Sequence, residues 1–425
     1  MKPKILLVHD HYQIPGGEDA VFRNEKELLR DNGHTVLCYT RSNEELKGLS
    51  AAGRAFAGLS SLFSFRTLRE VKELIRREKP DLMWVHNTLT QVSPSVYYAA
   101  FSAGIPVIQT IHNFRLFCPG ALCYREGKTC TECMEKGLLC AVSNRCYRES
   151  KAQTFVLTLQ LILHRILGTY KKLHYVCLTP FSAELFRKGM GKHIDPGKVF
   201  VKGNFVTKEP ENPQENADIP AADIRSPYYL CLGRLEHSKG IPWLLEEWNK
   251  IPDAALLMAG EGSLEGMVRD AEKESGGRIR SLGPLAHRNA LRYLKHAEAL
   301  IFPSELYENF PMVIAEAMSL GTPVICRDIG NGAAIVKKAA PKLVLGGSFR
   351  GAKAENRKDN TLPQDSTEPE GDMQPEGSGG LAELLRYYRK EDYSAAFFKA
   401  YEETCSPEAN YRIMEEIMEK VLRER

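Results

Sequence analysis

The sequence lacks any long apolar run. Nowhere do about 18 apolar residues follow one another, which is roughly the length a membrane-spanning helix requires. The first ten residues, MKPKILLVHD, hold an apolar run of only four, so they predict a buried strand rather than a signal peptide. Net charge is also small, at +3, and we expect no nucleic-acid partner. These absences favour a cytoplasmic protein, in which 11 cysteines are more typical of free thiols or metal ligands than of disulfides.

The chain is too long for one core, because single cores stop growing near about 250–300 residues. Its 425 residues, 43% hydrophobic and 26% charged, are typical of a globular protein with two domains. Charge is unevenly spread: residues 1–215 hold 30 Lys and Arg against 21 Asp and Glu, and the remainder holds 27 against 33. A basic first half suits an anionic acceptor or a membrane surface. Chance and solvated helix faces explain it equally well.

Short apolar strands alternate with amphipathic helices, which predicts parallel, doubly wound sheets. The pattern begins with KILLVHD, a loop and a helix from Ala20 to Asp31, and it restarts after a polar linker at 207–227 with YYLCLGR. We therefore expect a first Rossmann-like domain over 1–206, a second over 228–404 and a closing helix over 405–425. Ligands of such sheets lie at the carboxyl ends of the strands, where the polar residues of this sequence cluster.

Two segments interrupt the alternation. Residues 114–149 are rich in cysteine and show little periodicity. Residues 349–380 are dominated by Gly, Pro, Asp, Glu, Asn and Lys, which predicts a disordered insertion that buries too little apolar surface to fold.

Four charged residues of the second half stand where chemistry is expected. Arg234 and Lys239 flank the turn after the strand YYLCL, where two cations would neutralise a diphosphate leaving group. Glu308 lies in a loop and Glu316 about one turn into the following helix, so both could accept hydrogen bonds from one ligand. Phosphate binds well at such a helix start. Taken singly, these residues are equally typical of solvated surface.

Together, these residues resemble one family. Glu308 and Glu316 are separated by seven residues, Asn309-Phe310-Pro311 adjoins the first, LGTPVI follows the second, and GRL…KG precedes both. This combination resembles the retaining glycosyltransferases of the GT-B fold, the large group that includes sucrose- and phosphatidylinositol-mannosyl transferases. The resemblance covers most of residues 1–345 and the last helix. It implies an α/β protein whose two Rossmann-like domains face each other across a cleft, with the last helix returning to the first domain.

The resemblance also implies roles for individual residues. Glu308 would hydrogen-bond the donor sugar and Glu316 its ribose, while Arg234 and Lys239 would bind the diphosphate of a UDP- or GDP-sugar in place of a metal ion, so that no cofactor is required for catalysis. Backbone groups next to the sugar and phosphate, and residues that cradle the base, complete the implied donor site: Asn309, Phe310, Pro311, Met312, Gly283 and Leu285.

In the first half, Gly16 and Gly17 match the family's Gly-Gly turn, which lets backbone approach the donor. His112 follows the strand PVIQTI and, by resemblance, helps hold the reacting sugar, with Asn113 beside it. A lone histidine is otherwise more typical of a structural role. Asn204 also matches a family position near the cleft.

The cysteine segment predicts a metal site or a reduced, metal-free loop. Cys130 and Cys133 have the spacing of a thiolate zinc site. A subset of the family shares HNFR, CP, CxxC and RCYR, which implies a structural zinc held by Cys118, Cys130, Cys133 and Cys146, with Cys123 and Cys140 spare.

The apolar helix Phe155–Leu167, followed by Lys171 and Lys172, fits either core packing or a membrane-surface helix that meets a lipid-linked acceptor. Family context suggests a saccharide or lipid-linked acceptor, surface polysaccharide biosynthesis in a bacterium, and peripheral contact with the inner face of the membrane.

One departure from the family lies after TPVICRDIG, where a glutamate-bearing motif is usual. Here Asn331-Gly332-Ala333-Ala334 stands instead, which questions the outer edge of the donor pocket. Three alternatives remain at this point: a GT-B phosphorylase, which would need free phosphate, a sugar-nucleotide epimerase, and a catalytically silent scaffold subunit. The complete set of four charged donor residues argues against the last two.

Overall fold

The computed structural model describes residues 2–13, 16–48, 50–208, 227–346 and 380–424. Almost all of the predicted insertion at 349–380 and most of the predicted linker at 207–227 therefore lie outside the described residues. No helix among the described residues is both long and apolar enough to cross a membrane.

The first domain is built on six parallel strands in the order β2-β1-β3-β4-β7-β8, with a separate antiparallel hairpin β5–β6 in the cysteine segment. Its central strands are buried on both faces, which is why they read as unbroken apolar runs such as ILLV. The strands are β1 Ile5–His11, β2 Val36–Ser42, β3 Leu82–Val85, β4 Val107–Ile111, β5 Tyr124–Arg125, β6 Lys128–Thr129, β7 His174–Cys177 and β8 Val199–Val201.

The second domain repeats this plan with six parallel strands in the order β11-β10-β9-β12-β13-β14. The strand order reverses between β9 and β12, where ligands bind in open α/β sheets. The strands are β9 Tyr228–Leu232, β10 Ala255–Ala259, β11 Ile279–Gly283, β12 Leu300–Phe302, β13 Val324–Arg327 and β14 Val344–Leu345. The predicted α/β architecture with two Rossmann-like domains is confirmed.

Helices flank both sheets. Those up to the end of the first domain are α1 Gly17–Asp31, α2 Ala51–Ser60, α3 Phe65–Glu78, α4 Ser95–Ser102, α5 Glu132–Glu135, α6 Cys140–Ser143, α7 Lys151–Ile166 and α8 Pro180–Met190. The later ones are α9 Ile241–Trp248, α10 Glu265–Glu274, α11 His287–His296, α12 Met312–Ser319, α13 Gly330–Ala339, α14 Leu381–Tyr387, α15 Glu391–Thr404 and α16 Pro407–Arg423. Helix α1 starts at Gly17 rather than at Ala20, and α15 was not predicted.

The last helix returns to the first domain. Ser406 caps α16 by accepting the Ala409 N–H, and Pro407 occupies its first position. One face of α16, formed by Met414, Ile417, Met418 and Val421, packs in a core with β1 and β3. The chain thus crosses between the domains twice, and Val206 N–H donates to the Cys405 carbonyl where the two crossings run side by side.

Candidate active site

The loops after β9 and β12 meet where the second sheet reverses its strand order. Lys239 Nζ donates to Glu308 Oε1, and Ser304 Oγ donates to the same oxygen at 2.9 Å. Both charged side chains are mostly buried, with 21% and 16% of their surface exposed. The structure therefore brings together two of the four predicted charged donor residues.

A close backbone contact sets the position of Lys239. Gly240 follows it with φ of 71°, and a Cβ at Gly240 would overlap the Pro303 carbonyl oxygen. Only glycine fits both this left-handed conformation and this close approach. The turn after β9 consequently presses against the end of β12, which carries the loop with Glu308.

Asn331 holds the backbone of Glu308, a residue with an unusual φ of 20°. The buried Asn331 amide donates to the Tyr307 carbonyl at 2.8 Å and also to the Glu308 carbonyl. Its Oδ1 contacts Thr179 Oγ1 of the first domain. The residue at the family departure thus supports the loop of Glu308 and joins the two domains.

The other predicted donor residues lie around this pair. Glu316, on α12, contacts His287 Nε2 at 3.0 Å through Oε1 and is 19% exposed. Gly283 ends β11 with φ of 65°, and Leu285 follows it in the loop that leads to His287. Arg234 is exposed, and no carboxylate lies within 4 Å of it among the described residues. Glu308 and Glu316 therefore have different partners.

Three predicted residues after Glu308 contact the first domain. Asn309 Nδ2 donates to the His112 carbonyl at 2.5 Å, and its buried Oδ1 has no hydrogen-bond partner among the described residues. The Phe310 ring lies so close to Gly203 that a Cβ there would come within 2.9 Å of it. The Asn204 amide lies 3.7 Å from Met312 Sδ. Pro311 caps α12. The loop of Glu308 thus also forms the domain contact.

A buried row of polar side chains connects His112 with α16 through the core of the first domain. His112 Nε2 lies 2.9 Å from His86 Nδ1, and His86 Nε2 lies 3.5 Å from Glu25 Oε2. Glu25 Oε1 pairs with Lys202 Nζ, both fully buried, and Lys202 also donates to Asn410 Oδ1 of α16 at 3.1 Å. Burial holds the pKa of His86 and of His112 well below the usual value, so both rings are neutral.

The predicted Gly-Gly turn is anchored by Asp19. Gly16 N–H donates to Asp19 Oδ2 at 2.9 Å, while Asp19 Oδ1 contacts His9 Nε2 at 3.0 Å and His11 Nδ1 at 2.9 Å. A Cβ on Gly16 or Gly17 would meet open space, so these glycines leave room beside the turn. The His9, His11 and Asp19 ligand atoms lie within 4.8 Å of one another. However, in the part of the chain that the structure describes, the buried His9 Nδ1 has no partner to orient the ring as a metal ligand.

Four of the six cysteines of the segment 114–149 have another cysteine side chain as a partner, Cys133 with Cys140 and Cys118 with Cys123. Cys140 Sγ lies 3.5 Å from Cys133 Sγ, and the hydrogen bond from Cys123 lowers the pKa of Cys118 to about 6. Gly120 lets the loop of Cys118 approach Cys146, because a Cβ would lie 3.2 Å from the Cys146 carbonyl oxygen. Within the described residues, no three of these sulfurs lie within 4.8 Å of one another.

Family models match both domains. Residues 16–204 match the glycosyl transferase 4-like domain, and residues 226–348 match the glycosyl transferases group 1 model. The chain belongs to the GT-B glycosyltransferases. Solved structures with the same fold include a glycosyltransferase from Rickettsia africae (14% identity, TM-score 0.63) and Anabaena HepE in complex with UDP (14% identity, TM-score 0.59). These matches cover 100% and 98% of this chain, and each covers 100% of the other.

Curated relatives of this glycosyltransferase act on different substrates. An Escherichia coli UDP-Gal:alpha-D-GlcNAc-diphosphoundecaprenol alpha-1,3-galactosyltransferase is 24% identical over 79% of this chain and 82% of its own length. A Corynebacterium glutamicum GDP-mannose-dependent monoacylated alpha-(1-6)-phosphatidylinositol monomannoside mannosyltransferase is 26% identical over 40% of this chain and 48% of its own length.

Sequence reasoning missed several residues that support the site of this glycosyltransferase. His287 was missed because α11 brings it to Glu316 from a distant part of the chain. Glu25 and Lys202 were missed because a charge on an amphipathic helix or in a loop is more typical of solvated surface. The sequence did contain a weak signal for His86, which follows the strand DLMWV at its carboxyl end.

Proposed function

We propose that this glycosyltransferase is a retaining enzyme that moves a hexosyl group from a UDP- or GDP-linked sugar to a saccharide or lipid-linked saccharide. The observation that carries the proposal is the contact of Lys239 with Glu308 at the point where the strand order reverses, with Glu316 on the adjoining helix. Glu308 hydrogen-bonds the donor sugar and Glu316 hydrogen-bonds the ribose. Lys239 and Arg234 stabilise the departing diphosphate. Gly283 and Leu285 line the pocket that holds the nucleotide base.

Catalysis in this proposal requires no metal ion, because the two cations neutralise the diphosphate. The leaving phosphate removes the acceptor proton on the face from which it departs, so that the anomeric configuration is retained. The neutral His112 ring holds the reacting sugar from the first domain. His112 Nε2 and His86 Nδ1 share one hydrogen bond, which fixes the orientation of the His112 ring toward the cleft loop of Asn309.

The donor preference is tested by thermal unfolding of the purified protein with a panel of UDP- and GDP-sugars. We expect one donor to raise the melting temperature, because a ligand that binds only the folded state stabilises it by about 2.7 kcal/mol at 100 times its Kd. Lys239→Gln should remove most of this stabilisation, whereas Lys250→Gln, which breaks an exposed pair with Glu247, should keep it. If no nucleotide sugar stabilises or is hydrolysed by the wild-type protein, the proposed function is wrong.

A lipid-linked acceptor is supported by the surface of α7. Phe155, Leu159, Leu163 and Ile166 form one exposed apolar stripe of this helix, from 37% to 77% exposed. The exposed Lys171 and Lys172 follow the stripe and suit an anionic bilayer surface. We therefore propose that the enzyme acts in surface polysaccharide biosynthesis, in the cytoplasm and in peripheral contact with the inner membrane face, where the stripe lies against lipid.

We also propose that Cys118, Cys130, Cys133 and Cys146 hold a structural zinc ion. Four thiolates match the donor set that structural zinc prefers, and Gly120 lets the loops of Cys118 and Cys146 approach each other. Because no three of the described sulfurs lie within 4.8 Å of one another, zinc binding would have to draw the four side chains together. We expect about one zinc per chain in purified protein, retained in Cys123→Ser and lost in Cys130→Ser/Cys133→Ser. Less than about one zinc per three wild-type chains would contradict this site.

A further inference from the structure

Two arginines of the cysteine segment, Arg115 and Arg148, contact the same aromatic ring rather than a carboxylate. Arg115 Cζ lies 5.2 Å and Arg148 Cζ 5.5 Å from the centre of the Tyr147 ring, within the range of a cation–π contact. No carboxylate lies within 4 Å of either guanidinium among the described residues. Arg125, in the same segment, differs because it pairs with Glu132 at 3.3 Å. Two guanidinium groups beside one ring, with no carboxylate within 4 Å among the described residues, favour an anionic ligand.

Glu18, a buried carboxyl group near Arg115, does not neutralise it. Glu18 lies within electrostatic reach of Arg115, but burial raises the pKa of Glu18 to about 8 despite the hydrogen bond from Tyr12. At neutral pH Glu18 is therefore mostly protonated, and the positive charge of Arg115 remains available to a ligand.

The arginine pair is connected both to His112 and to the start of α7. Arg115 and His112 line one cavity, and Gln160 and Leu161 of α7 line it from the other side. Tyr147 is fixed to the start of α7, because Thr154 Oγ1 accepts the Tyr147 N–H at 3.1 Å and donates to its carbonyl at 3.3 Å. The stripe begins one residue after Thr154 and extends over about 16 Å, at roughly 1.5 Å per residue.

We propose that Arg115, Tyr147 and Arg148 bind the diphosphate of a lipid-linked acceptor, whose hydrocarbon chain lies along the α7 stripe. Bidentate guanidinium groups match phosphate oxygens, and the positive end of the α7 dipole adds to the attraction. The acceptor sugar beyond the diphosphate then enters the cavity beside His112. This inference rests on the proposed function. The RCYR sequence then has the role of positioning Tyr147 and Arg148 at the diphosphate.

Binding of farnesyl diphosphate, inorganic pyrophosphate and farnesol to the full chain tests the proposal by titration calorimetry. We expect farnesyl diphosphate to bind more tightly than either fragment. Arg115→Gln/Arg148→Gln should weaken it by at least about tenfold, since each hydrogen bond to a charged group contributes roughly 1.5–3 kcal/mol. Leu159→Ser/Ile166→Ser should reduce the affinity toward that of pyrophosphate, which distinguishes a lipid-linked diphosphate from a free one.

Three controls make the result decisive. Arg125→Gln removes an arginine of the same segment that already has carboxylate partners, and it should bind farnesyl diphosphate like the wild type. Lys239→Gln should also keep this binding, because its cation belongs to the donor site. Arg148→Glu, at an exposed position, tests the site if the double variant melts below the wild-type temperature.

The outcomes separate this inference from the proposed function. If a nucleotide sugar still stabilises the arginine variants while farnesyl diphosphate binding is lost, both are supported. Farnesyl diphosphate binding that survives in Arg115→Gln/Arg148→Gln and Arg148→Glu, or that is lost only in Lys239→Gln, would overturn the acceptor site and leave the donor site standing. A wild-type protein that responds to no nucleotide sugar would overturn the proposed function itself.

Discussion

Replacing Glu308 by Gln should lower kcat/KM for sugar transfer by about 10²–10³-fold, because a single preorganised electrostatic contact of an active site has roughly this effect. The carboxylate accepts hydrogen bonds from Lys239 and Ser304. The amide that replaces it removes the negative charge paired with Lys239 and changes one acceptor into a donor. The hydroxyl groups of the sugar that is transferred would then lose their hydrogen-bond acceptor, while the loop keeps its conformation. Initial rates with the preferred nucleotide sugar measure the effect.

The matched control is Glu305→Gln, three positions earlier in the same loop. Glu305 pairs with Arg327 at 2.7 Å and has a similar exposure of 24%, so its loss tests whether any missing carboxylate in this loop disturbs the site. We expect Glu305→Gln to keep transfer within a few fold of the wild type and both variants to melt near the wild-type temperature. Turnover by Glu308→Gln at the rate of Glu305→Gln would refute the role assigned to Glu308.

Replacing Lys202 by Met should destabilise the first domain by about 3–5 kcal/mol, because it leaves a buried charge without its partner. Glu25 and Lys202 are both fully buried, and their contact also supports the side chains of His86 and Asn410. The double variant Glu25→Leu/Lys202→Met should recover much of this loss, since apolar residues of similar volume replace a buried pair at little cost. Urea unfolding measures both effects.

The unfolding signal must report the first domain alone. Trp84 lies in β3, whereas Trp243 and Trp248 lie on α9 of the second domain. Both variants are therefore compared in a Trp243→Phe/Trp248→Phe background, in which tryptophan fluorescence comes from Trp84 alone. Lys47→Met is the control, because its pair with Glu44 is 61% and 59% exposed and exposed pairs contribute about 0–1 kcal/mol. A Lys202→Met loss no larger than that of Lys47→Met would contradict a buried charge pair.

The fold was predictable because each central strand is buried on both faces. Runs such as ILLV and VIQTI therefore stand out from the polar loops around them. The segment 114–149 was not predictable in the same way, since its two-residue strands and four-residue helices are too short to show a period. Helix α15 was missed for another reason: it follows α14 after only three residues, and the sequence gives no breaker between them.

The proximity of Lys239 and Glu308 was predictable, because both belong to loops that directly follow strands of one sheet. Their roles toward the donor stay a prediction that rests on the family resemblance. Asn331 was noticed only as a missing carboxylate. Its function as a bridge depends on Thr179 of the other domain, and no local pattern encodes that contact. The same reason hid Glu25 and Lys202, whose surroundings include Asn410 of α16, 208 residues after Lys202 and still further along the chain from Glu25.

The return of α16 has a consequence for the order in which the protein is made. Ile5, Leu7 and Trp84 share a core with Met414, Ile417 and Val421. Although α1 also packs in this core, part of one apolar face of the first sheet stays uncovered until the ribosome has synthesised α16. Domains generally fold as units as they emerge, yet here the second domain has all of its strands before the first is complete. Uncovered apolar sheet during this interval is exposed to aggregation and to chaperones. The domain that is synthesised first is thus the one that finishes folding last.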